Sequence, residues 1–288
     1  MPATISHVDI QGKFILLGTG TSVGVPVIGC PCAVCKGSDP RNHRMRCAAI
    51  AGLPFGNLLI DTPPELRLQL VRAGIGLVHA VAFTHEHADH LFGLDDLRLL
   101  PFYLGHPVPI YCEPAVETRI RRAFDYAFSE IPPTHAGAVP QLEFRTIGLD
   151  RFGTLGCDIQ PIRLNHGPRF KVLGFRLGAI AYCTDTNEIP DDSWRHLEGL
   201  DVLILDALRF KPHPTHFCLE EAIEAALRIG AKRTYFTHVC HDMDYETTNA
   251  SLPEGMALAY DGLTLSLTTG LELPPSGRPT GPPPASTG

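Results

Sequence analysis

The chain has 288 residues, 44% of them hydrophobic, with a formal net charge of −7 and nine cysteines. That size and apolar content can bury a sizeable core, while the negative balance argues against a general binder of long polyanions and leaves room for a local basic pocket. No stretch approaches the roughly eighteen apolar residues of a membrane span, the opening "MPATISHVDIQGK" lacks the pattern of a secretory signal, and an odd cysteine count suits reduced thiols; a soluble, cytoplasmic protein is expected.

In chain order, apolar runs bounded by turn residues predict strands at "KFILLG" (13–18), "NLLID" (57–61), "AVAFT" (80–84), "VPIYC" (108–112) and "LEFRTI" (142–147). Further strands are expected at "IQPIRL" (159–164), "LGFRL" (173–177), "IAYCT" (180–184), "DVLILDA" (201–207), "RTYFTH" (233–238) and "LTLSL" (263–267). Three-to-four spacing of apolar residues predicts helices over 63–74, 92–100, 115–128 and 219–230. Strands and helices run interspersed through the length, which indicates a layered α/β protein. After Leu273 the sequence "PPSGRPTGPPPASTG" has almost nothing to bury. The expected organisation is one domain over 1–272 and a disordered tail over 273–288.

The run "FTHEHADH" (83–90) sets His85, His87, Asp89 and His90 directly after a buried strand. The spacing does not suit one face of a regular helix and fits a loop folding around cations. Imidazole and carboxylate suit zinc, manganese or iron, and so many ligands within six residues favour two ions over one. The competing reading is a polar loop of exposed histidines. Earlier, "GCPCAVC" places Cys30, Cys32 and Cys35 in one loop; a shared zinc is the favoured reading, against a redox thiol pair or a chance cluster, and a closed site needs a fourth ligand. Cys47, Cys112, Cys157, Cys183 and Cys218 read as small core residues. The glycines of "GTGTSVG" miss dinucleotide-loop spacing by one residue, and a loop covering the metal site is expected instead. Arg41, Arg44 and Arg46 are open to a phosphate role, although clustered arginines are more often a solvated face.

The cluster His85, His87, Asp89 and His90 resembles the His-x-His-x-Asp-His motif of the metallo-β-lactamase-fold hydrolases. Asp61 in "NLLIDT", His166 in "RLNHG", Asp185 in "AYCTDT" and His238 in "YFTHV" follow the family order, and the match runs from about residue 14 to 268. The resemblance implies a four-layer αββα sandwich. It also implies that His85, His87 and His166 hold one metal, that Asp89, His90 and His238 hold the other, and that Asp185 bridges them. More narrowly, the cysteine array resembles that of the phosphoribosyl cyclic phosphate phosphodiesterases of bacterial phosphonate breakdown. There a histidine three residues after the last active-site histidine completes a structural zinc, which corresponds to His241; Cys240 has no counterpart among the ligands. The same family carries a catalytic histidine upstream, matched by His216 with His213 as rival. Asp206, ending "VLILDA", receives no assignment.

A metal pair would activate water for hydrolysis without a protein nucleophile. The expectation is a binuclear phosphodiesterase acting on a small or cyclic phosphodiester through hydroxide bridging two zinc or manganese ions, with Asp89 at the metals and His216 assisting the leaving oxygen. The alternatives are a tRNA 3′-end-type ribonuclease, opposed by the acidic balance and the lack of a basic arm, and a non-catalytic metal-holding carrier. A small substrate, no stable nucleic-acid complex, no membrane and a possible homodimer complete the expectations.

Overall fold

The computed structural model describes residues 5, 7–132, 134–135 and 137–273. Its strands are β1 (Lys13–Gly18), β2 (Ala48–Leu53), β3 (Gly56–Ile60), β4 (Ala80–Ala82), β5 (Val108–Cys112), β6 (Leu142–Thr146), β7 (Phe152–Thr154) and β8 (Cys157–His166). They continue as β9 (Phe170–Leu177), β10 (Ile180–Cys183), β11 (Val202–Asp206), β12 (Arg233–Thr237), β13 (Met256–Leu258), β14 (Thr264–Ser266) and β15 (Glu272–Leu273). One sheet has the order β15-β14-β1-β2-β3-β4-β5-β6, the other β13-β12-β11-β10-β9-β8-β7. In the first, the β1–β2–β3 meander is antiparallel and β3 to β6 run parallel. In the second, β7 to β10 are antiparallel and β10 to β13 parallel.

Three separate apolar clusters define four layers. Leu16, Ala49 and Ile60 of the first sheet meet Phe175, Tyr182 and Ile204 of the second. On the first sheet's outer face, Ile15, Ile50 and Val81 pack under Leu66, Val116 and Ile120 of helices. On the second sheet's outer face, Leu203, Leu205 and Phe236 pack under Leu219, Ala222 and Ala226 of helix Leu219–Ile229. Neighbouring residues of β11 thus enter different clusters, which is why "VLIL" reads as an unbroken apolar run: a central strand covered on both faces needs no polar alternation. The result is the αββα sandwich that the motif resemblance implied.

Several expectations need correction. The expected helix over 92–100 is a run of 3-10 turns, Leu94–Leu99, followed by a short helix Leu100–Leu104. Pro101 sits at its first turn, where the missing N–H costs nothing. The metal motif is not all loop: Asp89 and His90 lie in the short helix Ala88–Leu91. Leu273, placed in the tail, ends β15 and pairs with Thr264; residues 274–288 lie outside the described residues. Among the described residues no helix is long and apolar enough to cross a membrane.

Candidate metal centres

The site gathers where strands end. Asp61 follows β3, His85 follows the β4 run, Asp185 follows β10 and His238 follows β12, while His166 closes β8. Asp61, Asp185 and His238 adopt left-handed backbone with φ of 65°, 56° and 61°. That conformation is costly for a non-glycine residue and persists only where surrounding packing enforces it. Here it turns three ionisable side chains out of their strands and into one place.

Two ligand sets result. Donor atoms of His85, His87 and His166 lie within 4.8 Å of one another, as do those of Asp89, His90, Asp185 and His238. Three of the rings, those of His85, His90 and His166, are held at Nδ1, the first beside the Thr84 hydroxyl at 2.9 Å. His166 donates Nδ1–H to the Thr215 carbonyl at 2.7 Å, and His90 Nδ1 bonds the Asp61 carboxylate at 2.8 Å. Asp61 is itself fixed by the Thr84 N–H and hydroxyl, both at 2.8 Å. This is the outer-shell arrangement that orients metal-binding imidazoles, and it assigns Asp61 a supporting place rather than a ligand's. Asp185 stands 3.1 Å from His90 Nε2 and 3.3 Å from His238 Nε2.

The residues fit a pair of divalent cations. Nε2 of His85, His90 and His238 is buried without a hydrogen-bond partner in the described structure. Buried imidazole nitrogens are rarely left so, and their mixture with the carboxylates of Asp89 and Asp185 is the donor chemistry of zinc, manganese or iron. Burial holds His85 well below the ordinary imidazole value and lowers His238 too, which favours the neutral form that ligation requires. For Asp185 burial opposes ionisation, but His238 and His90 outweigh it and hold the carboxyl well below its usual range.

His216 joins this group. Its ring stacks on His238 at 4.5 Å and meets His166 edge-on at 4.6 Å. Its Nδ1 lies 2.7 Å from the carboxylate of Asp206, which is fully buried and also accepts the Thr186 N–H at 3.1 Å. Burial pushes Asp206 up and His216 down, so the pair shares one proton along that bond. Asp206, unassigned from sequence, is the main omission of that reading. An acid closing an apolar strand was its signal, and Asp61 carried the same one. His213 lies beside the pair, 5.3 Å from the His216 ring and partly exposed.

A second centre lies in the cysteine loop. Donor atoms of Cys30, Cys32, Cys35 and His241 fall within 4.8 Å of one another, with His241 Nδ1 3.2 Å from Cys30 Sγ and 3.4 Å from Cys32 Sγ. Four such donors fit a closed tetrahedral zinc. The Cys35 N–H and then His241 draw the Cys32 thiol down to about 6, so a thiolate is available, whereas burial pushes Cys35 up to about 11. Cys240 points elsewhere, its Sγ accepting the Asp242 N–H.

The three arginines do not form one solvated face. Arg44 is only 1% exposed and donates to Asn42 Oδ1 and the Met243 carbonyl. Arg41 is paired with Asp39 and Glu246, and Arg46 with Glu65. Arg41 thereby ties the segment after the Cys loop to the helix that carries Glu246, and Arg46 ties it to Glu65 and the Ser22 carbonyl. The glycine loop also braces: the Thr19 carbonyl accepts the Val239 N–H, and a Cβ on Gly20 would stand 2.6 Å from the Arg44 carbonyl oxygen. Its glycines serve close backbone packing beside the His238 turn.

Two sheets back to back with histidines and aspartates at their strand ends define a protein of the metallo-β-lactamase fold. Residues 56–239 match the family described as a β-lactamase superfamily domain, and the chain belongs to it. A solved structure described as a new diphosphatase from the PhnP family is 42% identical, with a TM-score of 0.81 over 88% of this chain and 96% of that one. The resemblance read from the sequence is therefore borne out. A relative in Porphyromonas gingivalis named octanoyltransferase is 35% identical over 87% of this chain, which spans only 51% of that protein. The zinc-bound PqqB of Methylobacterium extorquens is 20% identical, with a TM-score of 0.70 over 88% of this chain and 99% of that one, and shares the fold.

Proposed function

We propose that this chain hydrolyses a small phosphodiester, linear or cyclic, with two divalent cations in the histidine–aspartate centre and one structural zinc in the cysteine centre. The observation that carries the reading is the adjacency of the two ligand sets, His85–His87–His166 and Asp89–His90–Asp185–His238, with the Asp206–His216 pair beside them. The 42% identity to a diphosphatase supports attack at phosphorus over attack at a carbonyl.

Bound cations would supply Lewis acidity and a water acidic enough to attack at neutral pH. His85, His87 and His166 would hold one and Asp89, His90 and His238 the other, with Asp185 between them. The protein's own contribution is proton delivery. With one proton shared between Asp206 and His216 Nδ1, Nε2 is left to carry a second. When Nε2–H passes to the leaving oxygen, Nδ1 takes up the shared proton, which leaves Asp206 as the carboxylate and the ring neutral. Exclusion of bulk water follows from burial of the pair.

A second reading, hydrolysis of an acyl thioester, is favoured by one observation, the relative named octanoyltransferase. One experiment separates the two. Metal-loaded protein is assayed with bis(4-nitrophenyl) phosphate and with an activated acyl thioester, beside a chelator-treated sample. Chelator-sensitive cleavage of the phosphodiester alone is expected. Cleavage of the thioester alone would overturn the first reading, and turnover of neither by fully loaded protein would leave a metal-holding carrier.

A further inference from the structure

One cavity in the described structure lies away from the metal centres. It is an open cleft of about 670 Å³ beside β8, lined in part by Arg151, Arg163, Lys171, Arg195 and His196. Its position follows from strand lengths: β7 covers β8 only as far as the Phe152–Ile159 pair, and among the described residues the edge of β8 beyond Gln160 meets no strand, only the isolated Asn165–Glu188 bridge. Ser193 closes part of that gap by donating its hydroxyl to the Arg163 carbonyl at 2.6 Å. The cross-strand pair Asn165–Lys171 lies in the cleft, and the next pair in register is His166–Phe170 at the metal centre. Cleft and metal centre are therefore neighbours along one hairpin.

The charges in the cleft lack the usual neutralisation. Arg163 alone is paired, with Glu113 at 2.5 Å. Arg151 gives its Nε to the Gln160 side chain, and Arg195 gives its Nε to His196 Nε2. No carboxylate lies within ion-pair distance of Arg151, Lys171 or Arg195 among the described residues, although Asp150 and Asp192 stand on the lining. Nearby Arg176 is spent on the carbonyls of His196 and Glu198. The histidine on the wall reports the resulting field: after burial, what lowers His196 is Arg195, Arg151 and Arg176, with no acid offsetting them. A positive cleft in a chain of net charge −7 is a local departure from the whole, and guanidinium and ammonium groups with unused N–H bonds are the donors phosphate oxygens take.

We propose that this cleft binds a phosphorylated small molecule through a di- or triphosphate group, at a site separate from the metal centres. Its volume is that of a small-ligand site, and the three cations without carboxylate partners supply the charge such a group requires.

The test uses metal-loaded protein and methylenediphosphonate, which has no cleavable bridge. Histidine resonances are followed by NMR as the probe is added, over a range of pH. The expected result is a saturable shift of the His196 resonance and a rise in its pKa. Both should vanish in the charge reversal Lys171→Glu/Arg195→Glu, with binding weakened about tenfold or more for each reversed charge, and both should survive in Asp185→Asn. Both reversed residues are exposed; Arg151→Gln, which leaves them untouched, gives the same answer should the double variant unfold. A silent His196, binding unchanged by charge reversal, or binding lost only in Asp185→Asn would overturn the proposal. So would binding of single-stranded RNA without binding of the diphosphonate.

Discussion

Replacing Asp206 with asparagine changes one oxygen for one NH2 group at almost constant volume and bears directly on the proton path. Asparagine has two orientations in that pocket. With its amide oxygen in the place of Oδ2, it accepts both the Thr186 N–H and the His216 Nδ1–H, but without the carboxylate's charge the ring does not hold a second proton and Nε2 is left bare. Turned the other way, its NH2 faces the Thr186 N–H, donor against donor, and donates to His216 Nδ1, so that Nε2 carries the proton of a neutral imidazole, which is far too weak an acid to release it. Either way the leaving oxygen departs unprotonated. The lost interaction is a charge-assisted hydrogen bond of 2.7 Å to a fully buried carboxylate, of the kind worth about 1.5–3 kcal/mol, so kcat should fall about 10- to 150-fold. The assay compares two phosphodiesters, one leaving as 4-nitrophenolate and one as a simple alkoxide, with metal content measured on the same samples. The loss should be concentrated in the alkoxide substrate, with KM little changed and both active-site metals retained. Equal losses for both leaving groups, or loss of metal, would refute proton delivery through this pair and make Asp206 and His216 structural.

Other outcomes follow from the geometry. Cys32→Ser should remove about one zinc per chain and lower the melting temperature, while the histidine–aspartate centre still loads its metals but holds them more weakly, as measured by elemental analysis, chelator competition and thermal unfolding. Arg44→Ala leaves a void and strips partners from Asn42 and Met243; unfolding in urea should show a loss of about 2–4 kcal/mol, with KM for the phosphodiester unchanged. An increased KM without destabilisation would restore the phosphate role that the structure denies this residue. Gly20→Ala forces a Cβ to 2.6 Å from the Arg44 carbonyl oxygen, and the displacement should cost about 1–3 kcal/mol in the same experiment.

What the sequence made legible was local. The strands that read clearly, such as "VLILD" and "VPIYC", are dense in branched apolar residues and bounded by turn signals. β2, "AAIAGL", went unread because alanine and glycine carry little strand preference, and it is a strand by virtue of lying between β1 and β3. β7, β13 and β15 are too short to show a period. The same contrast runs through the candidate site. His85 to His90 are visible because the ligands adjoin, whereas Asp206 acquires its meaning from a histidine ten residues later and a threonine twenty residues earlier. Arg44 departs from a solvated face for a related reason: a composition rule about clustered charge has no access to burial, and Arg44 is held inside by a chain segment some two hundred residues away.

The turn after β12 ties these threads together. Within residues 238–241 it presents one imidazole to the histidine–aspartate set and another to the three thiols, and the second bridges 211 positions back to Cys30. Neither set is complete in a nascent chain until this late segment has left the ribosome, so a transcript cut short upstream of it yields a protein deficient at both centres at once. The two centres are also linked thermodynamically: a cation gripping His241 restrains the backbone that aims His238. Chelation strong enough to empty the cysteine loop should therefore loosen the hold on the other ions, although the two sets share no donor atom.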